Sequence, residues 1–162
     1  MSGVLTPEPL TQEAFAPYGD VIEVSGAADK LINQGLCGRH HDLAKLDFGS
    51  GRAGISLFDA QARQFPYALD MMERHPDGSQ AFVPLSGVPM LVSVADDLDG
   101  TPSTPRVFLS KPHQTVNIHR NIWHGVLAPV QKPGQYIVID RIGDTPNLEE
   151  YFFLKPYIVE LL

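Results

Sequence analysis

The chain has 162 residues, 43% of them hydrophobic and 19% charged, and it carries a formal net charge of −7. This length and composition predict one folded domain, residues 1–162, and the lack of any Lys/Arg run in an acidic sequence argues against nucleic-acid binding. No apolar stretch could cross a bilayer, the N-terminus lacks the pattern of a secretory signal, and the single Cys37 cannot form an internal disulfide, so we expect a cytoplasmic protein without membrane contact.

The predicted elements are mostly strands. Residues 11–16 predict a short helix, because Thr11 can act as its N-cap and Pro17 can end it. Strands follow over residues 20–24, 54–60, 89–95, 106–109 and 135–142, with no alternation of strand and helix. The 14 glycines and 14 prolines show no period, which favours short strands joined by tight turns. We therefore expect an all-β fold, a sandwich or barrel, with a few short helices.

The polar stretch that begins at Glu73 is followed by a short apolar run. Along a strand, residues two apart point to the same side, so Glu73 and His75 can converge on one point. A turn at residues 76–79 would reverse the chain, and Gln80 would begin the returning strand. This pattern predicts one hairpin that offers a carboxylate, an imidazole and an amide to a common pocket. The alternative is an ordinary salt bridge on a surface hairpin.

A second polar stretch, residues 117–126, contains two of the six histidines and leads into an apolar run. His124 is a candidate for the same pocket, and the alternative is a histidine packed beside Trp123. His119 either lines the pocket or belongs to a turn. Two polar clusters next to strands are what a small barrel with an internal site needs.

The predicted strand at residues 135–142 alternates strictly between its two faces. Asp140 and Arg141 therefore point in opposite directions, and only one of them can easily face the interior. Arg141 would provide a bidentate clamp for a carboxylate, or it forms an ordinary ion pair at the strand end.

The spacing of these residues resembles the two sequence motifs of the cupin superfamily. Glu73, His75, Gln80 and Gly87 follow the first motif, in which two histidines, a glutamate and a glycine hold these places. His124 stands where the second motif has its histidine. The resemblance implies a cupin-type jelly-roll barrel. If Glu73, His75 and His124 converge, one carboxylate oxygen and two imidazoles are enough for a divalent-metal site for nickel, manganese or zinc, which Gln80 could complete weakly. Without a metal, the same three groups could act as base, acid and orienting carboxylate. No organic cofactor is expected.

At finer resolution the chain resembles the ureidoglycolate lyase family over most of its length. The similarity is carried by residues 10–15, 18–23, 39–44, 73–87, 119–124 and 139–141. Its most specific string is Glu-Arg-His-Pro-x-Gly-x-Gln-Ala-Phe, which begins at Glu73. The resemblance implies cleavage of (S)-ureidoglycolate to glyoxylate and urea, in the allantoin branch of purine breakdown.

Such a carbon–nitrogen lyase needs a general base, a general acid, and a cation or donors for the substrate carboxylate. Within the resemblance, the catalytic candidates are Glu73, His75 and His124, and the substrate-binding candidates are Gln80, His119, Asp140 and Arg141. The alternatives are a non-catalytic cupin that binds a small acid, and a cupin enzyme that acts on another 2-hydroxy or 2-oxo acid.

The C-terminal residues 151–162 are aromatic and apolar, so they must pack against another surface. Cupins of this size commonly pair, and we expect a homodimer with a partly apolar interface. Cys37 is expected to be a small buried residue rather than a nucleophile.

Overall fold

The computed structural model describes residues 3–162, and its regular elements are almost all strands. The first half contains β1 (Val4–Leu5), β2 (Glu8–Pro9), the helix α1 (Gln12–Phe15), β3 (Gly19–Ile22), β4 (Lys30–Ile32), a 3-10 helix (Asn33–Gly35), β5 (Cys37–Arg39), β6 (Arg52–Ala60) and β7 (Tyr67–Arg74). The second half contains β8 (Gln80–Pro84), β9 (Met90–Ala95), β10 (Asp97–Leu98), β11 (Thr101–Pro102), β12 (Arg106–Leu109), β13 (Thr115–Ile118), β14 (Trp123–His124), β15 (Ala128–Pro129), β16 (Gly134–Ile142) and β17 (Glu149–Val159). The predicted all-β fold is confirmed.

Two main sheets build the molecule. The larger has the order β1-β17-β7-β14-β9-β12-β2, with β15 also pairing with β9. The smaller has the order β3-β13-β8-β16-β6. Within these sheets the pairs are antiparallel, except that β1 runs parallel to β17 and β2 runs parallel to β12. The arrangement is consistent with the cupin-type jelly-roll that the sequence motifs predict.

The larger sheet carries apolar side chains on both faces. Consecutive residues of β9, Leu91 and Val92, belong to different core clusters, as do Val107 and Phe108 of β12. Neighbouring side chains on a strand point to opposite faces, so each cluster lies on one face. The cluster that contains Val92 and Phe108 also includes six residues of the smaller sheet, namely Val21, Phe82, Val116, Ile118, Tyr136 and Val138. This cluster therefore fills the space between the sheets.

The local signals at the N-terminal helix are confirmed. The side-chain oxygen Oγ1 of Thr11 accepts a hydrogen bond of 3.1 Å from the backbone N–H of Ala14, which caps the first turn. Phe15 is fully buried and belongs to the core between the sheets. The Thr11 cap therefore fixes where this short helix begins, and the Phe15 side chain attaches it to the core.

The predicted hairpin at residues 76–79 is wrong. Strand β7 lies in the larger sheet between β17 and β14, whereas β8 lies in the smaller sheet between β13 and β16. The segment between them is a corner that carries the chain from one sheet to the other. A turn sequence reports a local change of direction, and it does not say whether the two flanking strands pair with each other. Glu73 and Gln80 therefore approach each other from different sheets.

Two further expectations can be compared with the structure. The C-terminal strand β17 pairs with β7 and β1, so the apolar tail does pack. Cys37 is exposed, against expectation, because β4 and β5 form a separate two-stranded arm that pairs only with itself. Across residues 3–162, none of the helices has the length and apolar character needed to span a membrane.

Candidate active site

Glu73 and His124 come from neighbouring strands and form the first half of the site. They are register partners in β7 and β14, so their side chains are direct cross-strand neighbours. The imidazole nitrogen Nε2 of His124 lies 3.6 Å from the carboxylate oxygen Oε1 of Glu73. The His124 side chain is 1% exposed and that of Glu73 is 20% exposed, so the pair lies inside the barrel with an opening on the Glu73 side.

His75 and Gln80 complete the cluster from the corner and from the smaller sheet. The distance from Nε2 of His75 to Oε1 of Glu73 is 3.8 Å. The amide oxygen Oε1 of Gln80 lies 3.2 Å from the Nε2 atoms of both His75 and His124. Ligand atoms of Glu73, His75 and His124 all lie within 4.8 Å of one another. We call these four residues the polar centre.

The other nitrogen of each imidazole ring faces a backbone carbonyl. Nδ1 of His75 is 2.8 Å from the carbonyl oxygen of Asn147, and Nδ1 of His124 is 3.0 Å from that of Ile122. A carbonyl oxygen only accepts hydrogen bonds, so both Nδ1 atoms donate an N–H. In a neutral ring the remaining nitrogen, Nε2, is then an acceptor, and both of these lone pairs point into the polar centre.

The orientation of the Gln80 amide is also determined by a neighbour. Its nitrogen Nε2 donates a hydrogen bond of 3.2 Å to Oδ2 of Asp140, the cross-strand partner of Gln80 in β16. This contact turns the amide oxygen toward the two imidazoles. One carboxylate oxygen, one amide oxygen and two imidazole nitrogens thus converge as acceptors, and neutral rings would place no hydrogen between them.

A cation or added protons can stabilise such an arrangement of acceptors. Four ligands about 2.1 Å from a tetrahedral metal ion would lie about 3.4 Å from one another. Four of the six separations within the polar centre are 3.2, 3.2, 3.6 and 3.8 Å, which is close to this value, and the ligand atoms of Glu73, His75 and His124 all lie within 4.8 Å of one another. The residues present therefore fit a divalent metal ion, and protonated imidazoles donating to Gln80 are the alternative.

Glu73 is held in its ionised form. Its contact with His124 lowers the pKa of the carboxyl group, burial opposes this effect, and attraction to both imidazole rings adds to the lowering. The polar centre therefore contains a negative charge at neutral pH, which suits either a metal ion or a proton-transfer step.

The two candidates at the end of β16 point in different directions. Asp140 faces the polar centre through Gln80. Arg141 lies on the other face, where its Nε is 3.0 Å from Oδ2 of Asp77 and its Nη1 donates a 3.0 Å hydrogen bond to the carbonyl of Thr145. Its side chain is only 2% exposed. The structure therefore does not bring Arg141 to the polar centre.

His119 also lies in a different place from the other two histidines. Its Nε2 is 2.9 Å from Oδ2 of Asp20, which also accepts hydrogen bonds from the Asn117 side chain and the Lys45 backbone N–H. These contacts tie the loop around Lys45 to the smaller sheet. We call Asp20, Lys45, Asn117 and His119 the loop anchor.

A cavity opens beside the polar centre and contains a charged residue that sequence patterns did not identify. Its volume is about 350 Å³, and its lining consists of Phe58, Asp59, Ala60, Arg63, Glu73, Gln80, Phe82, Val126 and Leu127. Arg63 is the only basic residue in this lining. No spacing rule connects it with Glu73, because the loop that carries it is brought there only by the folded sheets.

The fold and the polar centre together define a cupin-type protein with an internal, mixed carboxylate and imidazole site. Comparison with known proteins gives a narrower assignment. The sequence model of the family described as ureidoglycolate lyase matches residues 2–160. The chain belongs to the ureidoglycolate lyase family.

Several relatives are similar along nearly their whole length. The protein named ureidoglycolate lyase from Rhodobacter capsulatus is 66% identical over 154 residues, which cover 94% of this chain and 96% of that protein. Proteins of the same name from Brucella melitensis biotype 2 and Agrobacterium fabrum are 52% and 48% identical. The Brucella match covers 92% of this chain and 89% of the relative, and the Agrobacterium match covers 98% and 97%.

Proposed function

We propose that this protein is a carbon–nitrogen lyase that cleaves (S)-ureidoglycolate to glyoxylate and urea in allantoin degradation, and that it acts in the cytoplasm. One substrate carbon carries a hydroxyl group, a carboxylate and the urea nitrogen. The hydroxyl O–H bond breaks and its electrons form the carbonyl of glyoxylate. The C–N bond breaks at the same carbon, and the departing nitrogen takes up a proton. No water is consumed.

The observation that carries this proposal is the polar centre beside a small cavity, in a chain of this family. The cavity of about 350 Å³ is large enough for a small organic acid. Glu73 and Gln80 belong both to its lining and to the polar centre. A substrate in the cavity would therefore meet a carboxylate and an amide at the point where the imidazoles converge.

Glu73 is our candidate for the proton transfer. The lowered pKa of its carboxyl group keeps it ionised and able to accept the hydroxyl proton. A carboxylic acid with a lowered pKa is also a strong donor, so the same group can return the proton to the urea nitrogen. Oε1 is the oxygen near the imidazoles. We therefore assign the transfer to the second oxygen, Oε2.

We infer that Glu73, His75 and His124 hold a divalent metal ion, with Oε1 of Gln80 as a fourth ligand. Such an ion would polarise the substrate oxygens and make the hydroxyl group more acidic. The hydrogen bonds from each Nδ1–H to a backbone carbonyl orient the rings, an arrangement that is common for metal-bound histidines. The donor set suits nickel, manganese and zinc, and we propose no organic cofactor.

The activity assay uses purified protein and ureidoglycolate, with glyoxylate and urea measured against spontaneous breakdown. We expect both products to form in equal amounts and only one substrate enantiomer to be consumed. Release of ammonia without urea would indicate a hydrolytic enzyme instead. Binding without any turnover would favour a protein that senses a small acid.

The metal assay uses elemental analysis, followed by chelation and metal re-addition. We expect about one divalent ion for each chain, loss of activity with the chelator, and recovery with one of the three metals. Unchanged activity in a protein shown to be metal-free would assign catalysis to the imidazoles and carboxylate alone.

We also propose that the protein forms a homodimer. In β17 the side chains of Phe152 and Leu154 are 65% and 104% exposed, and in the edge strand β6 those of Ile55 and Leu57 are 75% and 58% exposed. Large apolar side chains in an edge strand favour contact with another chain. Light scattering should give the dimer mass at micromolar concentration. Of the separate variants Leu154→Ser and Ile55→Ser, the one that becomes a monomer identifies the surface that forms the interface. A monomer mass for the unmodified protein would exclude the dimer.

A further inference from the structure

The proposed substrate carries a carboxylate for which the polar centre has no obvious partner. The four converging atoms there are acceptors, and a substrate carboxylate would add two more acceptor oxygens beside the ionised Glu73. Arg141, the clamp expected from sequence, contacts Asp77 and Thr145 instead. Besides the divalent ion inferred above, a cationic side chain from another part of the chain would balance the charge of this carboxylate.

Arg63 is the residue with the right charge in the right cavity. Its backbone N–H donates a 2.9 Å hydrogen bond to the carbonyl of Pro129, and it forms a β-bridge with Val130. The backbone is thereby attached to the segment that follows β15. Its guanidinium carbon lies 5.9 Å from the centre of the Tyr67 ring, which supports the long side chain from one side.

The guanidinium group of Arg63 is also available for a ligand. Four other arginines form ion pairs with carboxylates, namely Arg74, Arg106, Arg120 and Arg141. Within residues 3–162, Arg63 has no such ion pair. Two acidic residues, Asp59 and Glu73, line the same cavity, and neither is within ion-pair distance of Arg63.

The remaining lining makes this position favourable for binding an anion. Phe58, Phe82, Val126 and Leu127 supply apolar walls between the charged groups. Arg63 itself is exposed, so its guanidinium group is open to an incoming anion. The planar guanidinium can also donate two parallel hydrogen bonds to one carboxylate.

We propose that Arg63 binds the carboxylate of the substrate. This assignment rests on the proposed function, because it takes ureidoglycolate as the ligand. It makes Arg63 a residue that determines specificity for an acid over its neutral analogue.

The test measures binding of two unreactive compounds by isothermal titration calorimetry. Ureidoacetate is the substrate without its hydroxyl group, so it keeps the carboxylate but cannot undergo the elimination. Ureidoacetamide replaces this carboxylate by a neutral amide. The unmodified protein should bind ureidoacetate more tightly than ureidoacetamide by about tenfold or more, the size expected for charge-assisted hydrogen bonds.

Arg63→Gln should abolish this preference, and Arg63→Lys should retain part of it, because lysine keeps the charge without the bidentate geometry. Arg52→Gln is the matched control. It removes the same charge from a residue that does not line the cavity, and it should leave the preference unchanged. With ureidoglycolate itself, Arg63→Gln should raise KM more than it lowers kcat.

The possible outcomes separate this assignment from the proposed function. An active lyase whose Arg63→Gln variant keeps the full preference for ureidoacetate would overturn the assignment and leave the function standing. A protein without lyase activity whose acid preference disappears in Arg63→Gln would overturn the function and keep Arg63 as a carboxylate-binding residue. If Arg52→Gln lost the preference for ureidoacetate to the same extent, the preference would depend on the net charge of the protein and not on Arg63. That result would also overturn the assignment.

Discussion

The polar centre and the loop anchor contain similar residues but satisfy their hydrogen-bonding groups differently. In the loop anchor, N–H groups of Asn117, His119 and Lys45 all meet one acceptor, Oδ2 of Asp20. In the polar centre, neutral imidazoles bring only acceptors together, because each ring uses its Nδ1–H on a backbone carbonyl. An anchor of matched donors and acceptors stabilises a loop, whereas a set of converging acceptors provides a binding site for a cation or proton. A histidine beside an acid is therefore not in itself a sign of function.

The largest expected effect comes from removing an imidazole of the polar centre. We expect His75→Ala and His124→Ala to lower kcat by about 10²- to 10⁴-fold, because each removes a metal ligand and a proton-accepting atom. Metal content measured in the same samples should fall with activity. The control is His119→Ala in the loop anchor, which should keep its metal. Full activity after replacing both His75 and His124 would mean that the active site lies elsewhere.

A smaller effect is expected from the residue that orients Gln80. Asp140→Asn removes the carboxylate that accepts from Nε2 of Gln80, so the amide can turn its oxygen away from the imidazoles. Metal affinity should drop about 10- to 100-fold, as for other residues that orient metal ligands. Competition with a chromophoric chelator measures this change. Asp20→Asn is the same substitution in the loop anchor, and an equal drop in that variant would contradict the distinction between the two regions.

The smallest effect concerns stability alone. Asp20→Asn should lower the free energy of unfolding by about 1–3 kcal/mol near neutral pH, because it weakens three hydrogen bonds to one carboxylate. Turnover per correctly folded molecule should change little. Urea unfolding followed by circular dichroism, with activity measured in the same preparations, tests both statements.

The same variant predicts a pH dependence. Burial alone would raise the pKa of Asp20, but hydrogen bonds from Asn117, Lys45 and His119 outweigh it, and the pKa lies below the ordinary value of 3.8. The stabilising contribution is therefore complete above the pKa of the unfolded chain and is lost as the pH falls through the lower folded pKa. The stability difference between the unmodified protein and Asp20→Asn should shrink in acid. If the stability difference between the two proteins grew toward low pH, the pKa of Asp20 would be raised in the folded protein and not lowered.

The sequence predicted the members of the polar centre better than the way in which they meet. Glu73, His75, Gln80 and His124 were all candidates, since their spacing resembles the cupin motifs and polar residues beside apolar strands require an explanation. The expected hairpin was wrong because pairing of strands depends on distant partners. Glu73 pairs with His124, and Gln80 pairs with Asp140 and Ile118.

By itself the sequence determined the strand-rich fold and the capped helix at Thr11, because these follow from backbone propensity. It also determined the opposite orientations of Asp140 and Arg141, which follow from the two-residue period of a strand. Tertiary structure decided that Asp140, and not Arg141, points toward the interior. The choice depends on which side of β16 the other sheet covers. Tertiary structure also decided that His119 meets Asp20 and that Arg63 reaches the cavity. Contacts of this kind join segments tens of residues apart, as with His119 and Asp20, and no local period links such segments.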